Sequence, residues 1–169
     1  VAGHAGLTSA VTMAIIERGA NVVDVVGDGT PRAEQVAALD AIVDLSTTLI
    51  DGGADARSVF AYLQPALLGQ ARRALAVTVP LHPDGTPTGV PGLMRSVARE
   101  RHDALVRSVA IDASDLDGDL APLAESIVDE LLDLDAPAAL SWAGGQRTTQ
   151  VVGEAQDLSI HGDLGLGPD

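Results

Sequence analysis

The chain has 169 residues, a formal net charge of −14, 46% hydrophobic residues and no cysteine. One domain of this length buries roughly 70% of its unfolded surface without staples, while the charge disfavours nucleic acid and anionic lipid, which demand a basic face. Zero cysteines exclude disulfides and thiolate sites, which suits a cytoplasmic address, and no apolar run approaches the roughly 18 residues of a membrane span. Aromatic residues are only 2%; the apolar inventory of Ala, Val, Leu and Ile suits a parallel sheet covered by helices.

Two hydrophobic periods alternate along the chain. Gly6 to Glu17 carries Leu7, Val11, Ala14 and Ile15 on one helical face, and Gly19 follows where a left-handed cap is favoured. Asn21 to Val26 predicts a strand. Thr30-Pro31 predicts a cap and a first-turn proline opening a short helix to Leu39, and Ala41 to Leu45 the next strand. The helix from Asp55 to Gly69 presents Phe60, Leu63 and Leu67, with Pro65 bending it. Leu75 to Val79 is a strand, Pro80 to Pro91 a turn-rich connection and 92–102 a helix. Leu105 to Ile111 is a strand, and Leu120, Leu123, Ile127 and Leu131 form the core stripe of the helix after it. Ala138 to Trp142 and Arg147 to Val152 predict two strands around a tight Gly144-Gly145 turn.

Strand and helix in this alternation predict an α/β fold with a doubly wound, mainly parallel sheet, right-handed crossovers and a C-terminal hairpin. About fifteen residues between Val26 and Ala41 cannot hold the strand and helix of a full dinucleotide fold, so the fold is a truncated Rossmann-like one. Periodicity fades after Gly153. The expected division is a domain over 1–152 and a linker over 153–169, and a chain that starts on Val1 without a leader is expected to be a piece of a longer protein.

Candidate chemistry is sparse. Gly3 and Gly6 lie where a dinucleotide fingerprint belongs, but the fingerprint needs three glycines; the turn is at most vestigial, and Asp24 sits inside its strand rather than at the ribose-binding end. Asp115, Asp117 and Asp119 around Gly118 fail the calcium-loop pattern, which puts glycine sixth and a bidentate Glu twelfth, here Ser126; capping a helix N-terminus explains them better. His4, His82, His102 and His161 have no ligand spacing and are expected in solvent-facing loops. All ten basic residues are Arg, so neither a Walker phosphate loop nor a phosphorelay receiver site can form. No catalytic, cofactor-binding or metal residue is assigned.

The stretch Gly92-Leu93-Met94-Arg95-Ser96-Val97-Ala98-Arg99-Glu100 resembles the helix that follows the catalytic Tyr and Lys of short-chain dehydrogenases. With Val106 to Asp112, the acidic helix 119–134 and the hairpin Leu140 to Arg147, it resembles the structural subdomain of ketoreductases in type I polyketide and fatty-acid synthases. Pro83 and Pro87 stand at the family's Tyr and Lys positions, and Leu45-Ser46-Thr47 replaces the Asn-Ala-Gly that lines its cofactor cleft. The resemblance implies a first ketoreductase half that binds no nucleotide and braces a second half carrying NADPH and the Tyr-based site. Its implied partners are that catalytic half, neighbouring synthase domains and, indirectly, the acyl carrier protein. A standalone, catalytically silent homologue serving as a binding module, and an unrelated flavodoxin-like enzyme, remain as alternative readings.

Overall fold

A computed structural model describes residues 4–23, 33–48, 54–79, 88–135 and 137–149. The elements in chain order are α1 (Ala5–Glu17), α2 (Ala33–Ala37), β1 (Ala41–Asp44), α3 (Ala56–Leu68), β2 (Arg73–Thr78), α4 (Val90–Glu100), β3 (Leu105–Ile111), α5 (Leu120–Leu132), β4 (Ala139–Ala143) and β5 (Gln146–Thr149). Single 3-10 turns follow β1 and β3, at Ser46–Thr48 and Ala113–Asp117. The five strands form one sheet in the order β1-β2-β3-β4-β5. The first four run parallel, and β5 returns antiparallel against β4. This is the expected α/β, Rossmann-like architecture with its terminal hairpin.

Local chemistry sets the helix ends. Gly19 at φ 82° closes α1, with Gly19 N–H on the Ile16 carbonyl and Ala20 N–H on that of Ile15, the paired bonds of a left-handed cap. Asp55 opens α3 by accepting from the Ser58 N–H at 2.8 Å. Gly69 ends α3 where α2 crosses it: a Cβ there would lie 2.2 Å from the Ala37 carbonyl oxygen. Pro65 lies inside the helix. Among the described residues of the predicted strand Asn21 to Val26, 21–23 are not in a strand; the rest of it, the Thr30-Pro31 cap, Pro80 to Pro87, the end of the strand Arg147 to Val152 and the linker 153–169 lie outside the described residues.

The sheet buries both faces along β2 and β3, while β5 is exposed at every residue. On β2, Leu75 and Val77 point into a core built with α1 and α5, while Ala74 and Ala76 point into a second core under α2, α3 and α4. Alanine on that side lets helices seat close to the strand. Three sequence expectations change here. Phe60 is 41% exposed; the buried stripe of α3 runs through Val59, Tyr62, Leu63, Ala66 and Leu67, about 100° of helix away from Phe60. The fully buried positions of α5 are Ala124, Ile127, Val128 and Glu130, with Leu120, Leu123 and Leu131 only partly covered at the rim.

The third change is topological. Each parallel step, β1 to β2 to β3 to β4, moves across the sheet in one direction, yet α3 and α4 lie on one face and α5 on the other. The β3–α5–β4 crossover therefore has the opposite hand to the other two, and the crossovers are not all right-handed as the strong general rule predicts. Packing accounts for it. A third helix beside α4 would leave α1 alone over Leu75, Val77, Val109 and Ile111; instead α5 lies along α1, with Leu120 at Gly6 and Arg18 paired to Glu125 and Asp129.

Candidate functional site

In open α/β sheets ligands bind beyond the carboxyl ends of the strands, where helix N-termini gather. Here that edge holds the start of α1, Asp44 and the turn Ser46–Thr48 after β1, Thr78 at the end of β2, and the first turns of α3 and α4. Gly6 and His4 both belong to it; Gly3 lies outside the described residues.

The N-terminus of α1 is closed by the protein's own groups. The His4 ring accepts from the Leu7 N–H at 3.4 Å, and the His4 N–H donates to Thr48 Oγ1 at 2.9 Å. A Cβ on Gly6 would stand 2.9 Å from Leu120 Cδ1 and 3.4 Å from the His4 ring. Gly6 thus admits the close approach of α5. His4 is correspondingly a half-buried helix cap and not the solvent-facing loop residue expected of it; His102 is exposed in a turn, as expected, and His82 and His161 lie outside the described residues.

Beside this plug, on the α3 face, the only tyrosine is buried. Tyr62 Oη lies 3.2 Å from Ser46 Oγ, and Ser46 donates through N–H and Oγ to Asp44 Oδ1 at 2.9 and 2.6 Å. Burial raises the Tyr62 phenol above its ordinary value, and the Asp44 charge raises it further. A ketoreductase phenol needs the reverse, an ammonium that lowers its pKa beside an open cleft. Asp44 Oδ2, Thr78 Oγ1 and Thr88 Oγ1 are buried at this edge without a hydrogen-bond partner among the described residues. The α3 entry threads between them, Ala54 N–H on the Ser46 carbonyl and Ala56 N–H on that of Thr88.

Two concavities adjoin the α1–α5 core. The larger, about 520 Å³, is walled by Val11, Ile15, Val43, Val128 and Leu131 and reaches Ala41 and Arg73, the first residues of β1 and β2. It therefore extends to the strands' amino ends, opposite the edge where this architecture places cofactors. The smaller, about 190 Å³, is lined by Asp115, Asp119, Ser126, Trp142 and Gly145. The acidic trio does not converge there as a metal site. Asp119 caps α5 on the Ala121 N–H, Asp115 Oδ1 takes the Gly144 N–H, and Asp117 is exposed. Among the described residues no three His, Cys, Asp or Glu side chains could hold an ion, and no helix is long and apolar enough to cross a membrane.

Sequence reasoning missed a buried charge cluster between α5 and the hairpin. Glu130, 4% exposed, accepts from Arg147 Nε and, at 3.1 Å, from Arg147 Nη2. Arg107, equally buried in β3, donates to the Glu130 carbonyl at 2.8 Å. Desolvation lowers the Arg107 pKa, and the nearby acids Asp133 and Glu130 oppose that. The cluster clamps β5 to the body. Comparison with known proteins returns no matching family model, curated protein or solved structure.

Proposed function

We propose that this chain is the non-catalytic scaffold half of an NADPH-dependent β-ketoacyl reductase in a polyketide or fatty-acid synthase, bracing a catalytic half. The observation that carries the reading is the N-terminus of α1, where the His4 ring takes the Leu7 N–H, Thr48 Oγ1 takes the His4 N–H, and a Cβ on Gly6 would stand 2.9 Å from Leu120 Cδ1. The chain's lack of lysine, its one buried tyrosine and the resemblance of residues 89–152 support the same reading. The work of such a half is mechanical. A sheet buried on both faces along β2 and β3 offers a rigid body, and the hairpin β4–β5, fastened through Glu130 and Arg147, is its last described element.

The test uses the chain alone and together with a catalytic ketoreductase half. Alone, it leaves NADPH fluorescence unchanged through the micromolar range; added in trans, it raises the thermal stability and reductase rate of the catalytic half. Saturable micromolar NADPH binding by this chain, or a catalytic half indifferent to its presence, overturns the proposal.

A further inference from the structure

The face of the sheet under α1 and α5 is covered unevenly. On β2 and β3 its residues Leu75, Val77, Val109 and Ile111 are at most 1% exposed. On β1, Ala41 and Val43 point to the same side as Leu45, yet both remain only half-buried. The space over them is the larger cavity, about 520 Å³, floored by Ala41, Val43 and Leu45. Val11 and Ile15 of α1 wall one side and Val128 and Leu131 of α5 another, and Ile15 and Leu131 keep part of their surface uncovered.

The lining sets the chemistry of an occupant. Alternate residues of one strand, from Ala41 to Leu45, give the cavity a length of about 13 Å, the reach of an extended chain on the order of ten carbons. Its apolar walls are aliphatic, with no aromatic side chain against which a flat ring could stack. The charged residues of the lining are Arg18, Asp40 and Arg73. Arg18 is already held by Glu125 and Asp129. Asp40 and Arg73 share the amino end of the sheet, because Ala41 is the ladder partner of Arg73, so the two charges there oppose each other. An anionic head meets Asp40 and a cationic one meets Arg73, whereas an uncharged oxygen group suits both.

We propose that the cavity between α1, α5 and β1 binds an uncharged aliphatic chain of medium length, its hydrocarbon along β1 and its oxygen-bearing end at Arg73 and Asp40. The inference is independent of the scaffold reading. The volume and the mainly apolar lining with few polar groups are those of small-molecule sites. A free alcohol or ester and a chain carried on a thioester share this chemistry.

The probe is decanol, titrated into the full chain with isotope-labelled valine, leucine and isoleucine methyls. Decanol binds, and its chain protons show nuclear Overhauser contacts to the Val43 and Val128 methyls. Affinity rises about threefold to fourfold per methylene from hexanol to decanol and flattens at dodecanol. Decanoate and decyltrimethylammonium bind about tenfold more weakly. Ile15→Trp, which obstructs the cavity from α1, lowers affinity about tenfold or more; Phe60→Ser, exposed on the opposite layer, leaves it unchanged. Circular dichroism checks each fold, with Leu131→Phe as the milder obstruction from α5. Decanoyl pantetheine, the carrier-borne form, is titrated beside decanol: binding by either supports the proposal, and the tighter of the two names the source. The proposal is overturned if neither binds, if decanoate or the ammonium binds as tightly as decanol, if affinity rises undiminished to dodecanol, or if folded Ile15→Trp and Leu131→Phe variants bind like the parent.

Discussion

Tyr62 shows how one residue can carry a functional argument by being unavailable. Its hydroxyl packs beside Ser46 and its ring is 3% exposed, so ionising it would bury a phenolate next to the Asp44 carboxylate. The phenol's pKa is raised in the folded protein, by burial first and Asp44 second. A raised folded value contributes stability that is full below the unfolded value near 10 and is lost as pH climbs above it. Alkaline titration followed at the tyrosinate absorbance band should accordingly show no ionisation of the native chain before it unfolds, with both signals rising together above about pH 10. A separate native-state titration near the free value would mean an exposed phenol. Tyr62→Phe should cost only about 1 kcal/mol, because Ser46 keeps its bonds to Asp44, and should abolish the absorbance step.

At the scale of elements, the hairpin is where most can be broken by one substitution. Gly144 and Gly145 sit at φ 55° and 75°, the two consecutive left-handed positions of a two-residue turn. Gly145→Val forces a β-branched residue into that region and should cost about 1–3 kcal/mol. Arg147→Met acts differently: it leaves the Glu130 carboxylate, 5% exposed, facing the sheet without its cation. Roughly 2–4 kcal/mol should be lost, and adding Glu130→Leu should recover much of it. A denaturant melt of the two single variants and the double variant checks this, and additive losses would show that the two side chains are not coupled.

Which elements the sequence discloses follows from the range of the forces that make them. β3 occupies Leu105–Ile111 as its apolar run dictates, and α3 lies between its Asp55 cap and Gly69. α4 begins at Val90 because Pro91 fits a helix's first turn and Gly89 supplies a left-handed residue before it; the proline was in plain view, but a helix read from Gly92 ignores it. Phe60 was misplaced because two apolar stripes compete on α3 and only the packing of α2 and α4 selects between them. Glu130 looks like a solvent residue until Arg147 arrives from another element. The hand of the α5 crossover is set by which sheet face needs cover, and no local pattern encodes that. The site was legible chiefly through residue types that are missing, since a lysine absent from the chain is absent from every fold; the closure of α1 by His4, Thr48 and Leu120 depends on contacts up to 114 residues apart.

For the whole molecule the largest unspent interaction is its own charge. The nine acids between Asp112 and Asp135 are met from other elements by Arg18, which reaches Glu125 and Asp129, by Arg147, which reaches Glu130 and Asp133, and by Arg107, which lies near Asp133 and Glu130. The exposed pairs among these gain little in water, while the remaining repulsion acts over distances comparable with the Debye length. Screening should therefore help more than it harms. Raising sodium chloride from about 10 mM to 300 mM, where the Debye length falls from about 30 Å to below 8 Å, should stabilise the chain by about 1 kcal/mol, a rise of roughly 2–4 °C in Tm. The same series in Asp117→Ser, which removes from the acidic layer one exposed charge in no ion pair among the described residues, should begin from a higher Tm and rise less. Calorimetry or a thermal melt decides it. A Tm that falls with salt would mean that the Arg18 and Arg147 bridges outweigh the repulsion they only partly neutralise.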